Sequence, residues 1–230
     1  MEDFFKLNSK NLEWYINLLR NDEKFSLTRW GDGEWFCAFG IVGKNCDDHQ
    51  YFSEMSEGLR EALVNDKGYF KSTWPLSESM IGDKINIIKE FCDPLGVNLV
   101  GWYDAQIFEH AATYGKIKPM VEQLEKMNFI VVSESKKRDL PIKYTDFIEI
   151  PLIDCFLEKE SIKEQVISMC EKYKNPVFGF SASMATNVIV DELYPVVGDK
   201  CWMIDFGSIW DPFVGNIIRS HHLKYVSTEL

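Results

Sequence analysis

The chain has no cysteine pair spaced Cys-x-x-Cys: its six cysteines, Cys37, Cys46, Cys92, Cys155, Cys170 and Cys201, are scattered over 230 residues. That spacing excludes the common zinc modules. Several of the six sit in apolar runs as small core residues, which fits a reducing, cytoplasmic setting. No run approaches the ~20 apolar residues that a membrane span needs, and the opening Met1-Glu2-Asp3-Phe4-Phe5-Lys6 lacks the basic start of a signal peptide. A soluble protein without a membrane span is expected. Positive charge is also short, with 25 Lys and Arg against 36 Asp and Glu and a net charge of -11. Such a surface repels nucleic-acid phosphate and argues against an obligate nucleic-acid partner, while leaving room for one small phosphorylated ligand at a local site. The densest basic run, Lys136-Lys137-Arg138, reads as a solvated loop. His49, His110, His221 and His222 have no metal-ligand spacing, and the adjacent His221-His222 pair reads as surface. Neither G-x-S-x-G nor H-E-x-x-H occurs, which weakens hydrolase readings, and no full G-x-G-x-x-G is present.

What is present is enough apolar surface for a large core: 46% hydrophobic and 14% aromatic residues. The length suits one domain over residues 1–230. Asn8–Asn21 reads as an amphipathic helix capped by Ser9. A short strand, Phe25–Arg29, runs into a tight turn at Trp30–Glu34. Helices are expected at Glu54–Asn65, Ile81–Phe91, Ala105–Tyr114, Lys118–Met127, Ser161–Tyr173 and Ala182–Leu193. Strands are expected at Tyr69–Thr73, Val97–Trp102, Phe129–Val132, Phe147–Ile150, Pro176–Phe180 and Trp202–Asp205. The continuous apolar run Phe129–Val132 is of the buried parallel type. From residue 97 onward strands and helices alternate, the pattern of a parallel sheet covered by helices.

In open α/β sheets ligands bind beyond the carboxyl ends of the strands, and three such ends carry reactive residue types. In Arg29-Trp30-Gly31-Asp32-Gly33-Glu34, Gly31 and Gly33 let the backbone approach a ligand. Asp32 and Glu34 flank Gly33, where both carboxylates can meet one Mg²⁺ or Mn²⁺, and the planar fork of Arg29 suits a diphosphate. The same Gly-Asp-Gly is also a common surface turn. In Phe178–Ser183, Ser181 and Ser183 stand at a helix start, either binding an anion or capping the helix. In Ile204–Asp211, Asp205 ends an apolar strand, where a carboxylate can bind a ribose, contact a metal, take a proton or cap the next element. Asp104, after the Val97–Trp102 run, is a further candidate base or a helix cap. Trp102 and Tyr103 read as stacking platforms or as core.

At Arg29–Glu34 the chain resembles the bacterial GT-D-type glycosyltransferases, first described as a domain of unknown function, whose hallmark is an Arg-x-Gly-Asp-Gly-Glu turn near the N-terminus. A second block is similar: Phe178–Ala185 and the helix after it lead to Asp205-Phe206-Gly207-Ser208, where that family has a Gly-Pro-Thr-Ala-Thr-like turn and a strand ending Asp-Ile-Gly-His. The resemblance implies a Rossmann-like α/β fold with a mostly parallel sheet flanked by helices. It also implies transfer of a hexose from a UDP-sugar to a hydroxyl of a glycan or glycoprotein. In that frame Asp32 and Glu34 hold Mn²⁺ or Mg²⁺, and Arg29, Gly31, Gly33, Ser181 and Ser183 bind the donor. Ser208 replaces the family His and Phe180-Ser181-Ala182 replaces the Gly-Pro-Thr turn, so Asp205, Asp211 and Asp104 are the candidates for the base. An S-adenosylmethionine-dependent methyltransferase and a non-catalytic nucleotide-sugar-binding module are the alternatives; the methyltransferase lacks its usual glycine-rich first turn here.

Overall fold

Alternation along Asn128–Ser133 sets the architecture. Phe129 and Val131 enter one core while Ile130 and Val132 enter another, because successive strand side chains point to opposite faces. The last two strands repeat this, with Val177, Trp202 and Ile204 on the first face and Phe178 and Met203 on the second. Strands apolar on both faces need helices on both faces. The computed structural model, which describes residues 3–77 and 82–216, has this arrangement. Eight strands form one sheet: β1 (Phe5–Asn8), β2 (Ser26–Trp30), β3 (Phe70–Thr73), β4 (Leu99–Asp104), β5 (Asn128–Ser133), β6 (Asp146–Glu149), β7 (Pro176–Phe180) and β8 (Trp202–Asp205). Every pairing is parallel, and the spatial order is β1-β4-β3-β2-β8-β7-β5-β6.

Helices α1 (Leu12–Arg20), α5 (Ile107–Thr113) and α6 (Lys118–Leu124) cover one face through Ile16, Phe108 and Met120. Helices α2 (Asp32–Ala38), α3 (Ser53–Val64), α4 (Ile85–Cys92), α7 (Lys159–Lys172) and α8 (Ala185–Val197) cover the other through Trp35, Leu59, Ile88, Val166 and Val188. No helix among the described residues is long and apolar enough to cross a membrane.

Four local expectations need correction. The first helix starts later than Asn8: Phe5–Asn8 is a strand paired with β4, and the cap is Asn11, whose Oδ1 accepts from Trp14 N–H at 3.0 Å. The alternation Phe5-Lys6-Leu7-Asn8 is a period-2 signal that the helical pattern beyond it obscured. Trp30–Glu34 is not a turn, because α2 begins at Asp32. Ser183 has φ of 51°, which no α-helix accepts, so α8 starts at Ala185 rather than Ala182. Lys137 is not solvated: it is 2% exposed and its Nζ lies 3.0 Å from Glu134 and 2.5 Å from Asp211. Ile81, His221 and His222 lie outside the described residues.

Candidate functional site

The order of strands reverses between β2 and β8. From β2 the chain steps outward through β3 to β4, while β8 joins the half built from β5, β6 and β7. At such a switch point the two neighbouring strands send their loops to opposite faces, and a crevice opens at their carboxyl ends. Here β2 leads into α2, whose Trp35 packs in one core, and β8 leads into Phe206, Ile209 and Trp210 of the other. The carboxyl end of β7 lies beside β8, with Phe180 paired to Asp205. Three of the strand ends singled out from the sequence therefore meet at one place.

The β2 end is organised by the start of α2. Glu34 folds back so that its Oε2 accepts from Gly31 N–H at 2.8 Å, the glutamate half of a capping box whose other half a glycine cannot supply. Asp32 Oδ1 accepts from Gly33 N–H at 3.0 Å. The glycines allow close packing: a Cβ on Gly33 would stand 3.3 Å from Asn45 Cβ and 3.4 Å from Met184 Sδ. Burial, then the nearby Asp205 and Asp32 carboxylates, push Glu34 up to about 7, although the backbone N–H groups around it favour the anion. Asp205 is 5% exposed. Its Oδ1 accepts from Gly207 N–H at 2.9 Å and its Oδ2 from Arg29 N–H at 3.3 Å. Burial pushes it up to about 6, while the Arg29 guanidinium pulls the other way.

Arg29 points to the α5 side of the sheet. Nη1 donates to Phe206 O at 3.2 Å and Nη2 stands 3.6 Å from Glu109 Oε2, while the buried Nε has no hydrogen-bond partner among the described residues. Gly207 has φ of 56°, and a Cβ there would meet Arg29 Nη1 at 2.0 Å. The turn after β8 thus needs glycine twice, for its backbone and for the guanidinium resting on it.

Four residues of the site carried no sequence motif. Asn187 is fully buried in the first turn of α8, and its Nδ2 donates to Arg29 O at 2.9 Å. Asn45, in the α2–α3 connection, donates from Nδ2 to Ser183 Oγ at 2.9 Å. Tyr51 ends that connection, and burial together with Asp32 and Glu34 pushes its phenol up to about 12. Glu109 is the carboxylate facing Arg29. All four come from distant parts of the chain and are read only through contacts. Ser181 follows β7 directly but stands four positions ahead of α8 rather than at its start, and its buried Oγ has no partner among the described residues.

Asp104 and Asp211 are not brought into this cluster. Asp104 ends β4, two strands from β2, and its Oδ1 accepts from Gln106 N–H at 2.8 Å, the capping role. Asp211 is bound to Lys137. Trp102 is core beside Trp30 and Trp35, and Tyr103 stacks on Trp14. Among the described residues no group of three or more His, Cys, Asp or Glu side chains is arranged to hold a metal ion. The carboxylates at the crevice that could meet a cation are Asp32 and Glu34, a pair that suits only a hard cation keeping most of its shell for water and phosphate oxygens. A cavity of about 410 Å³ lined by Asp22, Asn128 and Asn175 opens at the amino ends of the strands, away from the crevice. A second, of about 360 Å³, adjoins Asp104.

No family model matches the chain, and no curated protein does. Two solved structures are similar. One is a selenomethionine-substituted structure of domain of unknown function 1792, at a TM-score of 0.62 and 12% identity over 91% of this chain and 80% of that one. The other, at 0.59 and 12% identity over the same shares, is described as the highly conserved domain of unknown function 1792 with a distinct glycosyltransferase fold. The chain accordingly has the fold of domain of unknown function 1792, a distinct glycosyltransferase fold.

Proposed function

We propose that the protein moves a hexosyl group from a UDP-sugar to a hydroxyl of a glycan or glycoprotein, with Mn²⁺ or Mg²⁺ at the donor diphosphate. The observation that carries this reading is the meeting of the β2, β7 and β8 ends in one crevice of a glycosyltransferase fold. Asp32 and Glu34 would hold the cation, whose chemistry when bound is to neutralise charge on the departing diphosphate. The buried Arg29 Nε–H, on the α5 side, and the Ser181 hydroxyl, ahead of α8, have no partners among the described residues and supply donors for an anion at the crevice. Asp205 is the base. Its carboxylate takes the acceptor hydroxyl proton, the acceptor oxygen bonds to the sugar anomeric carbon, and the bond from that carbon to the diphosphate breaks, its electron pair leaving with the nucleotide. With a pKa near 6, Asp205 is mostly ionised at neutral pH and suited to that role. Asp104 stands two strands away from β2, and Asp211 is paired with Lys137.

The test is a thermal-shift panel of UDP, GDP, CDP and S-adenosylmethionine, each with and without Mn²⁺. A rise in Tm with UDP that requires Mn²⁺ is expected. Stabilisation by S-adenosylmethionine alone would replace this reading with a methyltransferase. Asp32→Asn is expected to keep the melting temperature of the free protein while losing the metal-dependent rise and the turnover.

A further inference from the structure

The carboxyl edge of the sheet continues past the donor crevice into a second cleft that the reaction so far leaves unused. It opens over the ends of β1, β3 and β4, has a volume of about 360 Å³, and is lined by Asn8, Lys10, Asn11, Pro75, Asp104 and Ile107 among others. Trp30 of β2 pairs with Thr73 of β3, which pairs with Asp104 of β4. Asp104 is thus two strand spacings from the end of β2, about 10 Å, and one spacing more from Asp205 at the end of β8, a separation that an acceptor longer than one sugar ring can bridge.

Three side chains of the cleft are fixed by the backbone before any ligand arrives. Asp104 Oδ1 accepts from Gln106 N–H at 2.8 Å, Asn11 Oδ1 from Trp14 N–H at 3.0 Å, and Asn8 Nδ2 donates to Gly101 O at 2.5 Å. Each bond uses one end of a two-ended group. Asp104 Oδ2 and the Asn11 amide N–H groups are left in set directions, an acceptor and a donor, while the Asn8 side chain also bonds to Tyr103. Lys10 lies over the Trp14 ring, 5.0 Å from its centroid, instead of pairing with Asp104. Pro75 and Ile107 add small apolar surfaces. Fixed donors and acceptors beside short apolar patches match a pyranose, which presents hydroxyls on its rim and C–H groups on its faces.

We propose that this cleft is the acceptor subsite and that it takes a neutral saccharide, with Asp104 Oδ2 accepting from a ring hydroxyl. The inference rests on the transferase reading for its role in catalysis, but the binding itself does not depend on it. The probes are the methyl and p-nitrophenyl glycosides of glucose, galactose and N-acetylglucosamine, titrated into the Mn²⁺- and UDP-loaded full chain and followed by amide NMR shifts. Shifts at Ser9–Trp14 and Asp104–Ile107 are expected, with an affinity that falls about tenfold in Asp104→Asn, the loss of one charge-assisted hydrogen bond. That variant keeps an oxygen for Gln106 N–H, and its UDP-dependent Tm reports whether fold and donor site persist. Shifts confined to Gly31–Glu34, an affinity unchanged by Asp104→Asn, or no shift with any glycoside would overturn the assignment. Glycoside binding at the cleft without UDP binding would keep the saccharide site and reject the transferase reading instead.

Discussion

Gly207 shows how much of the site depends on single atoms. Its left-handed φ costs a residue with a Cβ about 1–2 kcal/mol, and that Cβ would overlap Arg29 Nη1. Gly207→Ala is expected to lower stability by at least about 1 kcal/mol in urea unfolding and to weaken the UDP-dependent thermal shift, because the guanidinium must leave Phe206 O. Asn187 acts from below, tying α8 to the last residues of β2. Truncation to Ala strands Arg29 O in the core, so a loss of about 1–3 kcal/mol is expected in the same assay. An Asn187→Ala variant as stable as the parent would remove that bond from the account. At this scale the sequence was legible where a strand end carried its own motif. Asp32, Glu34, Ser181 and Asp205 follow apolar strands directly, whereas Asn187, Asn45 and Glu109 face the site across 80 to 158 positions of chain from helices and a connection whose local pattern is ordinary.

The elements around the crevice are held by polar links between distant segments. The α2–α3 connection is fastened to the segment after β6: His49 Nδ1 accepts from Asp154 N–H at 3.0 Å, and Gln50 N–H donates to Asp154 Oδ1 at 2.7 Å. Burial lowers the His49 pKa, outweighing Asp47, Asp154 and Asp48, which raise it. A lowered histidine leaves stability intact above its unfolded value of about 6.5 and removes it as pH falls below that, since the unfolded chain takes the proton first. Urea midpoints should therefore decline with acidification through that window, and His49→Asn, which keeps an acceptor at the δ position, should flatten the decline. Lys137 joins the short turn after β5 to the one after β8 through Glu134 and Asp211. Lys137→Met leaves two carboxylates unpaired and should cost about 3–5 kcal/mol. Composition placed Lys137 in solvent because three adjacent basic residues resemble a surface run; only the tertiary partners reveal that the middle one turns inward. Element types were legible from β2 to β8 because each strand is apolar on both faces or closely framed by helices. β1 was not, since four residues of weak alternation precede a stronger helical signal.

For the whole molecule, the net charge of -11 sets a repulsion that no single contact records. Raising monovalent salt from about 0.01 M to about 0.15 M should increase Tm, because the surface carboxylates repel one another over longer distances at low salt. An unchanged or falling Tm would mean that the exposed ion pairs, which salt weakens, outweigh that repulsion. The sheet order has a different consequence, for the time course of synthesis. β8 is the last strand among the described residues, yet it occupies the middle of the sheet between β2 and β7. Until it emerges from the ribosome, β2 and β7 each present an unpaired edge, and the two halves of the molecule have no shared hydrogen bonds between strands. Asp205 and Gly207 arrive with it, so the crevice comes into being only in the same late event that seals the sheet. A nascent chain stalled before residue 202 should bind chaperones that recognise open strand edges and should be inert toward nucleotide, with both properties reversing together once β8 is released.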